Sequence, residues 1–316
     1  MAVVVGDSGI TLRTFRGSTS RRRKERIVHG LFASAAGLSV LISGAIVFAL
    51  LDKAIVFLTK VPLGLLWSTG WLPRNNQFDL PTIIIGSGAI VVVAMAVAIP
   101  VGLGAAIYLA EYSHGRLRRI LKPILETLAG VPSVVMGFFA LSVISPDFVK
   151  KLFSGAGTFS LLAAGIGVGI LTVPLVASVA EDAMYAVPGA LREAAYGIGA
   201  RRRSVTTKVV FPAAASGIAA AVILGISRAI GETMVVAIAA GGTGGSLRTY
   251  DLLGPGQTMT GAISSLAVGS DQVAATAGQT LNPYESLYLV GFLLFAFTLM
   301  LNLVSERFVR RVRRNF

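Results

Sequence analysis

Apolar residues gather into six long stretches along the chain, and polar residues collect between them. The stretches cover residues 32–51, 83–109, 123–144, 159–180, 213–240 and 284–304, each 20 to 28 residues long. A hydrocarbon core of about 30 Å is crossed by about 20 helical residues. The pattern predicts an all-α, polytopic membrane bundle of six transmembrane helices over residues 32–304. A basic segment at 1–31 precedes it and a basic tail at 305–316 follows. The longest connection, 241–283, has 43 residues, well short of the about 100–150 of an independent domain. Pro100, Pro132 and Pro174 fall inside predicted spans, where neighbouring helices can satisfy the freed carbonyls. Gly165 and Gly169 have the spacing for close helix approach, within a crowded bundle or along a dimer seam.

Composition agrees with this pattern. Residues of the set AVILMFWYC make up 54% of the chain and charged residues 14%, against about 25% charged in soluble domains; the mean hydropathy is +0.76. Charge then orients the bundle. Of 28 Lys and Arg, 21 lie in the two termini and in the second-to-third and fourth-to-fifth connections, six lie on the opposite side, and Arg228 lies within a span. Basic residues stay in the cytoplasm, so both termini are expected there. The net charge of +13 is a topology signal and no nucleic-acid partner is expected, although the run Arg21–Lys24 suits anionic membrane lipid. The 31 residues ahead of the first span predict a retained anchor rather than a cleaved signal. With no cysteine, disulfides, thiol catalysis and cysteine-ligated metals are excluded. His29 and His114, expected in membrane-edge loops, form no HExxH, and no Gly-Lys pair exists to make a P-loop. No metal or cofactor is expected, and ATP hydrolysis by this chain is not.

The connection over residues 181–212 is unusual, being cytoplasmic, 32 residues long and helical in composition. Pro188 suits the first turn of a short helix through Glu193 and Tyr196, and Gly197 and Gly199 can end it by adopting positive φ. Residues 201–210 suit a second short helix before Pro212 opens the next span. A knob for a cleft on a soluble partner and a simple linking hairpin both fit. The run Glu193-Ala194-Ala195, then three residues to Gly199, then nine to Val209-x-Phe211-Pro212, resembles the EAA loop of ABC-importer permeases, EAA-x3-G-x9-I-x-L-P. The resemblance implies a type I ABC importer permease fold, with this loop coupling to a separate ATPase dimer that carries the missing P-loop.

Arg228 lies near the middle of the fifth stretch, and Glu232 follows four residues later. A charged side chain at a helix centre costs about 2.5–3.5 kcal/mol on insertion scales. In a continuous helix the two share a face and can pair, either as a packing device or on a substrate path. Residues 226–234, Ile-Ser-Arg-Ala-Ile-Gly-Glu-Thr-Met, resemble the phosphate-specific branch of this family, its PstC-type subunit, with Val235 where alanine is usual. Residues 128–138, Leu-Ala-Gly-Val-Pro-Ser-Val-Val-Met-Gly-Phe, are similar to that branch's third-helix motif, with Met136 for an aromatic. This resemblance implies inorganic phosphate as substrate, Arg228 and Glu232 on its pathway, a homologous second permease subunit and an extracytoplasmic phosphate-binding protein, all in a prokaryotic cell membrane. Alternatives from the residues alone are a sulfate or molybdate permease, a proton-coupled carrier or channel gated by the charge pair, and a membrane sensor. Glu126 reads as an edge charge paired locally. Residues 241–245 read as an anion-holding nest or a linker, and residues 259–268 as a surface segment or a docking site.

Overall fold

The structure, a computed structural model, describes residues 19–242, 246–268 and 283–313. The chain divides into two units, Met1–Leu50 and Leu51–Phe316. The described part of the first unit is the N-terminal arm of α1 (Thr19–Lys60). This helix takes in part of the basic segment, and residues 1–18 lie outside the described residues. Its side chains are exposed throughout 23–46, Leu31, Phe32, Leu41 and His29 among them, so His29 sits in a helix and not in a loop.

Among its described residues the second unit holds the last turns of α1 and ten further α-helices. α2 (Leu80–Tyr112) starts where Asp79 accepts the Thr82 N–H at 3.1 Å and ends in a π-helical turn over Tyr108–Tyr112. α3 (Gly115–Leu128) has no buried residue. Its apolar positions Leu117, Ile120, Leu121, Ile124, Leu125 and Leu128 recur at spacings of three and four, with four basic residues between them. That is the pattern of a helix lying along an interface. The expected third span therefore does not start at Pro123. The chain breaks at 129–132, and α4 (Ser133–Leu152) makes the apolar crossing, with π-helical turns over Ala140–Val149. Glu126 is exposed on α3, while Lys122, one turn before it on the same helix, turns to Glu181.

α5 (Leu161–Tyr185) is the centre of the unit, with 15 of its 25 residues buried. Small residues let α2 press against it: a Cβ on Gly165 would lie 2.6 Å from Cβ of Val93, and one on Gly169 2.8 Å from the Ala94 carbonyl oxygen. The glycine pair thus seats a helix of the same chain. α6 (Gly189–Gly197) and α7 (Arg202–Ala213) follow, and α7 meets α8 (Ala215–Gly231) at a 72° bend. α9 (Met234–Ala239), α10 (Met259–Val268) and α11 (Ser286–Arg313) complete the unit. Helices α1, α2, α4, α5 and α11 are long and apolar enough to cross a membrane, and the bent pair α7–α8 makes six. The helical membrane bundle holds as expected.

Hydropathy gave no hint of a three-stranded antiparallel sheet, ordered β2–β1–β3. It joins β1 (Gly70–Leu72), β2 (Gln77–Phe78) and β3 (Ser246–Leu247), with Trp71 opposite Phe78. Phe78 meets Phe57 and Trp71 edge-on, at centroid distances of 5.2 and 6.0 Å. Arg248, next to β3, donates to Asp79 (Nε to Oδ2, 3.0 Å) and to the Ser68 carbonyl at 2.8 Å. Burial raises the Asp79 pKa, but hydrogen bonds from Arg248 and Thr82 outweigh it and hold the carboxyl below its ordinary value. Residues 259–268 form a helix packed inside, with Met259, Ala262 and Leu266 buried, and not a surface segment. Gly241 and Gly242 pack against Phe159 and Gln257; the rest of the proposed nest or linker, 243–245, lies outside the described residues.

Candidate functional site

The connection between α5 and α8 builds a folded knob. Pro188 is extended and caps α6 rather than entering it. At the other end Gly199 takes φ +82°, while Gly197 remains the last helical residue. The Ala200 N–H reaches back to the Ala195 carbonyl at 3.0 Å, and the Gly199 N–H to that of Tyr196 at 2.9 Å. These are the two hydrogen bonds of a Schellman ending, which needs a left-handed residue at Gly199. The expected second short helix continues through residue 213, widened by a π-helical stretch over Thr206–Val210.

Within the motif the three residues part ways. Ala195 is the only buried residue of α6. It joins an apolar cluster with Ala106 of α2, Met184 of α5, Val205 and Val210 of α7, and Ile218 of α8. Glu193 and Ala194 are exposed, and Glu193 has no ion-pair partner among the described residues. Around them stand apolar side chains that the chain leaves uncovered: Leu191, Tyr196 and, at 87% exposure, Ile198.

Charges bind this knob to the helix ends. Glu111, in the last turn of α2, has a side chain only 3% exposed. It accepts from Arg192 of α6 at Oε1, from Nε at 3.1 Å and from Nη2 at 2.8 Å. Arg192 also donates to the carbonyls of Val187 (2.6 Å) and Met184 (2.8 Å). Beside this, Glu181 of α5 is fully buried and accepts from Arg118 (Nε, 2.8 Å) and Lys122 (Nζ, 2.7 Å) of α3; Lys122 also pairs with Asp182. The Arg118 guanidinium lies 3.8 Å from the Tyr185 ring centroid. Desolvation lowers the pKa of Arg118 and Lys122, but the carboxylates outweigh it and hold both above their ordinary values. Sequence reading missed this network. Its available signal was two carboxylates, Glu111 and Glu181, at the edges of apolar stretches, where an unpartnered charge is costly.

Arg228 and Glu232 are arranged differently. α8 ends at Gly231, and Glu232 is extended with φ −71° and ψ 124°. The two residues therefore do not share a helical face, and among the described residues they form no ion pair. Arg228 is exposed. Next to it Ser227 donates to Asn302 Oδ1 of α11 at 3.0 Å. Glu232 is half-buried: its Oε1 accepts the Val235 N–H at 3.4 Å, at the start of α9, and its carbonyl accepts from Thr260 of α10 at 2.9 Å. The break in the span is thus satisfied by its own side chain and by a neighbouring helix, as irregular backbone at membrane depth requires.

Comparison with known proteins places these features. Residues 98–314 match the family described as binding-protein-dependent transport system inner membrane component. A probable ABC transporter permease protein, YqgH of Bacillus subtilis, is 34% identical over 65% of this chain and 70% of its own. The phosphate transport system permease protein PstC of Mesorhizobium japonicum is 29% identical over 95% of each chain. A solved structure of the MetNI methionine ABC transporter, in an inward-facing conformation, shares the fold at a TM-score of 0.53. It is 18% identical and is matched over 72% of this chain and 93% of its own. The exposed knob, the apolar spans and the matched residues lead to one assignment: the chain belongs to the binding-protein-dependent inner membrane components, the permease subunits of ABC transporters, which work with a separate ATPase and a substrate-binding protein.

Proposed function

We propose that this chain is the phosphate-conducting permease subunit of an ATP-driven importer in a prokaryotic cell membrane, with both termini in the cytoplasm. The observation that carries the substrate is the match over 95% of both chains to a relative named for phosphate transport. In this reading the exposed face of α6, with Glu193, Ala194 and Ile198, docks on the ATPase dimer. Ala195 faces the bundle and Gly199 supplies the turn. A homologous second permease subunit completes the pathway, and an extracytoplasmic phosphate-binding protein delivers the anion.

Arg228 supports the pathway half of the reading. An exposed guanidinium within an apolar span costs about 2.5–3.5 kcal/mol against lipid, so it faces a wet route. Its fork matches two oxygens of an oxyanion. Glu232, held one break further along, repels the anion and keeps its stay short. The test is ATP-dependent uptake of labelled phosphate into vesicles carrying the assembled importer and its binding protein. Unlabelled phosphate should compete, and sulfate and molybdate should not. Equal competition by either would reassign the substrate, and uptake without ATP would overturn the importer reading.

A further inference from the structure

We propose that Arg192 is a positioning residue that locks the docking helix α6 to the ends of α2 and α5, so that a push on α6 moves both spans as one body. The inference rests on the docking role of α6 given above. Arg192 is adjacent to Glu193 in sequence but turns the opposite way. Its side chain is 19% exposed, and all three guanidinium nitrogens are used, on one carboxylate and two carbonyls.

The acceptors belong to the helix ends that a coupling motion must reach. Met184 lies in the last turn of α5, where the helix dipole favours a cation and its carbonyl takes Arg192 beside the Val187 N–H. Glu111 lies in the π-helical turn that closes α2, and its burial leaves water no room to replace the guanidinium. The second arm of the knob holds the same turn: Arg202 of α7 donates to the Glu111 carbonyl and stands 5.0 Å from the Tyr112 ring centroid. Apolar packing alone cannot carry the load, because α6 buries only Ala195, a single methyl. Lysine at 192 would keep the charge but lose the fork that spans three acceptor groups.

The test uses the assembled importer in vesicles, with phosphate as probe, and measures subunit association, ATP hydrolysis and uptake. Arg192→Gln alone would strand a buried carboxylate, so the informative variant is Glu111→Gln with Arg192→Gln, which removes both charges at similar volume. Its ATPase subunits should associate as in the parent. Hydrolysis should no longer rise with loaded binding protein, and phosphate moved per ATP should fall at least tenfold. Arg192→Lys should be intermediate. Parental phosphate per ATP in the double variant would overturn the proposal. So would a fall only in proportion to lost assembly, the mark of a merely structural pair. Ile198→Asp tests the docking reading separately. Loss of ATPase association supports docking, and retained association overturns it and the positioning role with it.

Discussion

The α5–α8 connection and the break between α8 and α9 both place charge in or beside an apolar bundle, and they handle it in opposite ways. At the connection, Glu111 and Glu181 are buried and each is met by an arginine; Glu181 also has a lysine. At the break, Arg228 is exposed without an ion-pair partner among the described residues, and Glu232 spends its side chain on the backbone of α9. A paired, buried charge fixes relative position, because separating it leaves an uncompensated ion. An exposed cation in an apolar span fixes nothing in its own chain and is available to a ligand or another subunit. The first region is built to be rigid, and the second is the one the proposed function puts to use.

Substitutions can break this contrast, and the largest effect on stability is expected in the rigid region. Glu181→Leu leaves Arg118 and Lys122 without their buried partner and should cost about 3–5 kcal/mol. It would be read as a lower unfolding midpoint in detergent. Gly199→Val should cost about 1–2 kcal/mol through φ alone, since a Cβ there meets no atom within 4 Å. Gly199→Asn, which tolerates the left-handed region, should restore most of the stability and of the substrate-stimulated ATP hydrolysis lost in the valine variant.

Asp79 sharpens the contrast from the far end of α2. Its pKa is held below the ordinary value, so its charge stabilises the fold fully above about pH 4, and the benefit is lost as pH falls through the lowered value. The gap in unfolding midpoint between the parent and Asp79→Asn should be constant at neutral pH and shrink below about pH 4. The smallest stability effect belongs to Arg228→Gln, within about 0.5 kcal/mol of the parent, because no pair is broken. Phosphate uptake should nonetheless fall more than tenfold, with Arg228→Lys between the two. A large loss of stability with uptake in proportion would make Arg228 a structural residue and overturn its place on the pathway.

Much of the fold was legible because lipid as solvent leaves few solutions. Runs of 20 or more apolar residues had to be helices that satisfy their own backbone. The EAA-like loop was legible because its requirement is local. Gly199 needs a conformation that glycine reaches freely, and the hydrogen bonds that demand it lie within six residues. The third span was misplaced by its start because residues 123–128 are apolar enough to extend it. Only the spacing of the charges on 115–128 marks a helix lying on a surface. The Arg228–Glu232 pairing failed for a similar reason. Hydropathy runs on through Thr233, while the helix stops at Gly231 because Thr260, far along the chain, satisfies the opened backbone.

Sequence by itself determined the helical membrane bundle, the glycine-ended turn after Glu193 and the family. Each follows from composition or short-range geometry. Tertiary structure alone decided which charges meet. Glu111 with Arg192, Glu181 with Arg118 and Asp79 with Arg248 are 81, 63 and 169 residues apart. No local propensity links such partners. The approach of α2 to α5 over Gly165 and Gly169 brings their helix ends together, and burial there makes each carboxylate depend on the cation that faces it.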